Sequence, residues 1–298
     1  MRHVFIINPY AGKRDQTSRI YGMADHLRDE HGLECACMLT DRPGGATDMA
    51  RKLAETGEEL RIYACGGDGT IHEVANGVAG FPNAAMTAIP TGTGNDFLKN
   101  FGADAAKFAD ADNLWDGEVF PLDLIDCNGI DARIADSVHQ YSGTPMLSGR
   151  GSYLASVAMN FLFRPIGRHW KVFLDDEVLE DDFALVSMCN GRYYGGGSMP
   201  VPEARMDDGV LHTVLIKNVS KVTFARLFAP YSAGEYRKLP QELVRVSTAG
   251  TVRIQSETEL VTCLDGECFR GHEVVMGLSD KRLNFFGPKG CSPNATAR

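Results

Sequence analysis

The sequence predicts two domains of different class, an α/β domain with a parallel sheet followed by a β-rich domain of antiparallel strands. Three observations carry this expectation. Up to about residue 119, short apolar or β-branched runs alternate with segments of helical spacing. Beyond it, strand-like runs follow one another closely, with two helical interruptions. Glycine-bearing or polar turns follow Ile7, Cys65 and Ile89, at the carboxyl ends of expected strands, which is where parallel sheets bind their ligands.

Residues 3–8 form a β-branched run and the first expected strand. Residues 15–31 set Ile20, Met23, Ala24 and Leu27 at helical spacing. A strand is expected over 35–39, a helix over 47–55, a buried strand over 60–65, a helix over 70–78 and a strand over 85–90. In the second half, strands are expected over 170–174, 183–189, 210–217, 243–247, 251–256, 260–264 and 273–278, and helices near 152–163 and 221–232. The polar turn 123–129 places the boundary near residues 124–130, and the polar end of the chain, from Lys289, reads as a flexible tail.

Hydrophobic residues make up 44% and charged residues 23% of the 298, as in an ordinary folded protein. The net charge of −9 argues against general nucleic-acid binding, which needs a clustered cationic surface. No window is apolar enough to span a bilayer, and the first residues lack the pattern of a secretory signal. The eight cysteines form no CxxC pair. Cys35 and Cys37 alternate along a strand as small buried thiols would, and Cys263 and Cys268 flank an acidic turn without the companions of a zinc site. Reduced thiols and a cytoplasmic location are the expectation.

The segment Cys65-Gly66-Gly67-Asp68-Gly69-Thr70 frees the backbone for close approach to a ligand, and the helix after it would aim free N–H groups at an anion. Thr70 and Glu73 also have capping-box spacing, so part of the pattern is ordinary helix initiation. Asp68 points beyond that: a carboxylate in an anion-binding turn needs a bridging cation or a proton to accept. The turn Pro90-Thr91-Gly92-Thr93-Gly94-Asn95-Asp96-Phe97 adds backbone donors and hydroxyls, with Asn95 or Asp96 as a cap. Asn8-Pro9-Tyr10-Ala11-Gly12-Lys13-Arg14 supplies cations that neutralise phosphate or simply face water. No Walker-type P-loop, intact G-x-G-x-x-G, HExxH or GxSxG occurs.

Gly66-Gly67-Asp68-Gly69-Thr70, followed by Glu73, Asn76 and Gly77 and then by the 90–97 turn, closely resembles the diacylglycerol kinase catalytic-domain family. Asn8-Pro9 with Gly12 is similar to its opening motif, Leu264-Asp265-Gly266-Glu267 to its late acidic turn, and residues 190–197 with Pro202 and Asp207-Asp208-Gly209 to its central signature. The GGDGT phrase alone is shared with NAD kinases and defines only the wider superfamily, to which sphingosine kinases also belong. The ordered set, spread over nearly the whole chain, is far more specific.

The resemblance implies a three-layer, phosphofructokinase-like α/β domain over 1–125 with 280–290 returning to it. It also implies an antiparallel β-sandwich over 126–279, an active site in the cleft between them, and leaves 291–298 as the tail. It implies ATP and Mg²⁺ as cofactors. Around the nucleotide it sets Asn8, Pro9, Gly12, Lys13, Gly66, Gly67, Asp68, Gly69, Thr70, Glu73, Thr91, Gly92, Thr93, Gly94, Asn95 and Asp96. It makes Asp265 or Asp68 the general base, with Asp265 preferred, puts Asp68 and Glu267 at the catalytic Mg²⁺, and Asp208 at a further structural one. Two departures stand out. Gly129-Ile130-Asp131-Ala132 follows Asp126-Cys127-Asn128 directly, as though one strand were absent, and His212 stands where an aspartate is usual.

The expected activity is transfer of the γ-phosphoryl of ATP to a lipid hydroxyl, diacylglycerol first, during reversible contact with a membrane surface. The apolar stripe in 153–163 would serve as the lipid entrance or, more ordinarily, as core. Edge strands of the second domain offer a homodimer contact. The competing readings are a kinase of a soluble acceptor such as NAD and a regulator that binds nucleotide or lipid without turnover.

Overall fold

The computed structural model describes residues 1–92, 95–128, 167–265 and 267–295, with the backbone alone at Glu267 and Cys268. The chain divides into two compact units, Met1–Asp123 with Asp280–Arg298, and Leu124–Ser279.

The first unit alternates β1 (Arg2–Ile7), α1 (Thr17–His31), β2 (Cys35–Leu39), α2 (Gly45–Ala54), β3 (Leu60–Gly66), α3 (Asp68–Val78) and β4 (Ala84–Pro90). The strands lie in the order β2-β1-β3-β4, all parallel. β1, β3 and β4 are buried almost throughout because helices cover both faces of such a sheet. α1 stops at Gly32, whose left-handed φ of 63° lets its N–H reach the Arg28 carbonyl. α2 buries Ala46, Ala50 and Ala54, one residue per turn, against α3. A Cβ at Gly77 would lie 2.6 Å from the Ala50 Cβ, so glycine there sets the approach of the two helices.

After β4 comes a 3-10 segment, Phe97–Ala109, which residue periodicity did not reveal because it bends at Gly102 (φ 57°). Its Phe97, Phe101 and Phe108 rings surround Phe285 at centroid distances of 5.0, 5.5 and 6.0 Å. Phe285 lies on the last strand, β11 (Glu267–Gly287), and pairs in parallel with Met86 of β4. β5 (Glu118–Asn128) also pairs with β11, and Arg282 meets the buried Asp123 at 3.0 Å. The start of the expected flexible tail is instead ordered. Lys289 pairs with Asp116, and Cys291 and Pro293 are buried, because this stretch covers the end of the aromatic cluster near Phe108.

The second unit contains β6 (Arg168–Leu174), β7 (Glu177–Cys189), β8 (Leu211–Lys217), α4 (Lys221–Ser232), β9 (Val244–Ala249) and β10 (Thr251–Leu264). Its order is β11-β10-β6-β7-β8-β9, antiparallel throughout. β8 is buried on both faces. Leu215 joins Val172, Val252, Ile254 and Val274, while its neighbours Val214 and Ile216 join Leu227 and Tyr231 of α4. Expected strands 251–256 and 260–264 are joined in β10 across a register shift after Gln255, and expected strand 273–278 runs on into the returning segment as β11. The polar residues between them face water while the backbone remains extended. The helix expected over 152–163 and the Gly129–Ala132 departure lie outside the described residues. Among the described residues no helix is long and apolar enough to cross a membrane.

Two measurements test this description. Phe285→Ala should cost about 3–5 kcal/mol in urea unfolding, and Phe285→Leu much less, because the alanine leaves a cavity among three rings. His3, fully buried with Nδ1 2.9 Å from the Tyr63 hydroxyl, has its pKa lowered to about 4 by burial and by the nearby Arg61 charge. The unfolded chain takes up that proton near 6.5, so this contribution is complete above about pH 6.5 and is lost as pH falls toward 4. His3→Gln should flatten the stability profile across that window, by roughly 2–3 kcal/mol.

Candidate active site

The three turns predicted from sequence converge in the first unit. Gly66 ends β3 opposite Pro90 of β4, and its carbonyl accepts from the N–H groups of Thr91 (2.9 Å) and Gly92 (3.2 Å). A Cβ at Gly92 would stand 2.6 Å from the Gly67 Cα, so the two turns touch backbone to backbone. Gly12, with φ 82°, completes the set: a Cβ there would stand 2.2 Å from the Thr91 carbonyl oxygen. Asn8 ties its own turn to the 65–70 turn, donating from Nδ2 to Thr70 Oγ1 (3.3 Å) while its Oδ1 accepts from the Tyr10 N–H.

Asp68, the first residue of α3, braces the arrangement. One carboxylate oxygen accepts from the N–H groups of Asn95 (2.8 Å) and Asp96 (3.1 Å), the other from Phe97 (3.3 Å). Asn95 is held at φ 75°, a left-handed conformation that asparagine tolerates better than most residues. Gly69 faces open space beside the N-terminus of α3. Buried Thr91 Oγ1 and Asn95 Oδ1 have no hydrogen-bond partner, and both belong to this turn. The arrangement brings glycine turns, helix amides and two orphaned polar atoms together, and suits an anion with polar groups attached.

Other predicted residues have different roles. Glu73 does not form a capping box with Thr70, because α3 begins at Asp68 and Thr70 is already inside the helix. The Glu73 carboxylate instead accepts from the Ala46 N–H (3.0 Å), satisfying a free amide in the first turn of α2. Asp96 does not cap through its side chain but pairs with Lys99, a residue that sequence reasoning passed over although it lies one turn on. Pro9 is half-buried, whereas Lys13 and Arg14 are exposed. Thr93 and Gly94 lie outside the described residues. The amides of residues 95–97 carry much of the geometry, and no side chain in the sequence announces them.

In the second unit, Asp265 follows β10 at φ 46°, and Leu264 pairs with Glu267 across the turn. A two-residue hairpin of this kind demands left-handed backbone, which Asp-Gly supplies. Glu267 opens β11. Cys263, expected as a reduced thiol, is disulfide-bonded, and its register partner is Cys268. Six other cysteines are free. Asp208 accepts from the Val210 N–H (3.2 Å) and meets His212 Nε2 at 3.2 Å. The Gly195–Gly197 segment has left-handed φ throughout, and the Tyr194 hydroxyl joins Tyr231 and Ser187 in a chain of 2.8 Å hydrogen bonds.

A parallel α/β unit with a glycine cradle, followed in sequence by an antiparallel unit, is the architecture of a lipid-kinase-class enzyme, and comparison with known proteins bears this out. The diacylglycerol kinase catalytic domain model matches residues 2–127, and the YegS C-terminal NAD kinase beta sandwich-like domain model matches residues 126–284. Residues 2–127 belong to the diacylglycerol kinase catalytic-domain family, and residues 126–284, more than half of the chain, to the YegS C-terminal domain family. A diacylglycerol kinase of Staphylococcus epidermidis is 27% identical over 276 residues, spanning 88% of this chain and 84% of that protein. One of Bacillus subtilis strain 168 is 25% identical over 273 residues, 88% of each. The solved structure of a diacylglycerol kinase from Bacillus anthracis strain Sterne has the same fold, with a TM-score of 0.69 at 21% identity over 96% of both chains.

Asp68→Asn tests the brace. One oxygen acceptor is lost, so amide hydrogen exchange at Asn95, Asp96 and Phe97 should accelerate about tenfold or more while the global melting transition stays cooperative.

Proposed function

We propose that the chain transfers the γ-phosphoryl of ATP to a lipid hydroxyl, with diacylglycerol as acceptor and phosphatidic acid as product. The observation that carries this reading is the cradle at Gly12 and Gly92, where a side chain would collide with backbone, beside the open N-terminus of α3. Triphosphate oxygens suit that surface, and the orphaned Thr91 Oγ1 and Asn95 Oδ1 suit a nucleotide's polar groups. Mg²⁺, when bound, neutralises phosphate charge. Carboxylate oxygen is the donor it prefers, which fits Asp68 and Glu267. Asp208 offers carboxylate oxygens of the same kind, addressed by the Val210 amide and the His212 imidazole as those of Asp68 are by three amides.

Asp68 spends its charge on three amides of the second turn, which supports Asp265 as the base. Asp265 would take the proton of the acceptor hydroxyl as that oxygen forms its bond to phosphorus and the bond to the ADP oxygen breaks. Exposed Val222 and Phe228 on α4, with Arg226 between them, support peripheral contact with a lipid surface. The 153–163 stripe, offered by the sequence as lipid entrance or, more ordinarily, as core, lies outside the described residues.

The test is transfer of labelled γ-phosphate from ATP, with Mg²⁺, to a mixed-micelle panel that includes diacylglycerol. Wild type should label a lipid, and Asp265→Asn should lose at least a hundredfold while remaining folded. Labelling of NAD instead, or none from folded protein that binds ATP, would overturn the proposal.

A further inference from the structure

We propose that His26, His31 and Asp112 form a binding site for one divalent transition-metal ion of the Zn²⁺ type, which clamps the last turns of α1 to the 3-10 turn Ala111–Asn113. Nothing in the phosphoryl-transfer reading uses these residues. Among the described residues they form a group of three in which one ligand atom from each lies within 4.8 Å of the other two. Asp112 Oδ1 is 2.7 Å from His31 Nε2 and 3.5 Å from His26 Nε2. Tetrahedral bonds of 2.0–2.1 Å would put ligand atoms about 3.3 Å apart, so small side-chain rotations convert the present arrangement into a coordination set.

The surroundings favour an ion over a simple ion pair. The two imidazoles stand edge to face, 89° apart, with both Nε2 atoms directed to one carboxylate oxygen. His31 stacks on Trp115 at 4.3 Å, which fixes its ring plane. The Asp110 carboxylate accepts the Asp112 N–H (3.1 Å) and fixes the turn that presents the third ligand. The Arg19 guanidinium, which lines the neighbouring cavity, donates to the Ala109 carbonyl. A cavity of about 360 Å³ lined by His26, Asp110 and Asp112 opens beside the set, leaving room for an ion to enter and for water to complete its shell. Two nitrogens and one oxygen select Zn²⁺, Co²⁺ or Ni²⁺ over Mg²⁺, which demands oxygen.

The experiment uses full-length, tag-free, metal-stripped protein titrated with Co²⁺ in excess Mg²⁺, read by visible absorption, with Zn²⁺ competing. One equivalent should bind with nitrogen–oxygen bands and no thiolate band. His31→Ala and Asp112→Asn should each weaken binding at least tenfold, and the combined His26→Ala/His31→Ala/Asp112→Asn variant should lose it. Zn²⁺ should raise the melting temperature of wild type and not of that variant. Should the combined variant fail to fold, ring NMR signals in wild type decide: His26 and His31 must shift together at one equivalent of Zn²⁺. Unchanged affinity in the variants, stationary ring signals, or no binding below millimolar Co²⁺ would each overturn the proposal.

Discussion

The carboxylate of Asp68 holds the 95–97 amides against the start of α3, just beyond the point where β3 and β4 pair and the Gly66 carbonyl accepts from Thr91 and Gly92. Three amides at residues 95–97 point at it, and without it they would be unpaired donors at the mouth of a sheet. The same residue opens α3, where its negative charge meets the positive end of the helix dipole. One side chain therefore satisfies a helix start and a turn at once. The turns approach to backbone distance because Gly92 lacks a side chain, which would stand 2.6 Å from the Gly67 Cα.

Behind this brace, α3 is held from the other side. Glu73 accepts an amide of α2, the Thr47 hydroxyl donates to the Glu73 carbonyl, and Gly77 allows Ala50 to close on the helix. The helix whose N-terminus faces the cradle is thus fixed along its length by polar bonds and by close packing. On the far edge of the sheet, the Phe97–Ala109 segment is anchored by its rings on Phe285, which arrives from near the end of the chain. The second turn is therefore fixed at both ends, by Asp68 before the segment and by Phe285 behind it.

The late acidic turn shows how one residue pattern serves two demands. Asp-Gly is what a two-residue hairpin needs, and the φ of 46° at Asp265 accords with that need. It is also where the family resemblance sets a carboxylate for chemistry. A turn fixed by its strands, with disulfide-bonded Cys263 close by, would present that carboxylate in one orientation.

Much of this was legible in the residues. Alternation of strand and helix periods located every element of the first unit up to Pro90, since each buries apolar residues at its own spacing and glycines mark the turns. The motif order at Gly66–Thr70, Pro90–Phe97 and 264–267 pointed to the family because those residue types are fixed by local backbone and charge. Tertiary structure alone decided the partners. Glu73 reads as part of a capping box, yet it serves α2, twenty-seven residues back. Thr251–Leu264 reads as two strands, yet it is one, because pairing with β11 resumes at Leu260 after the register shift that follows Gln255. His26, His31 and Asp112 meet although eighty-one residues separate the last two, and Cys263 is oxidised in a chain whose composition suggests reduced thiols. Local spacing encodes which element a residue joins. Which side chain it meets depends on how the elements fold back on one another, and a carboxylate or imidazole carries no local record of that.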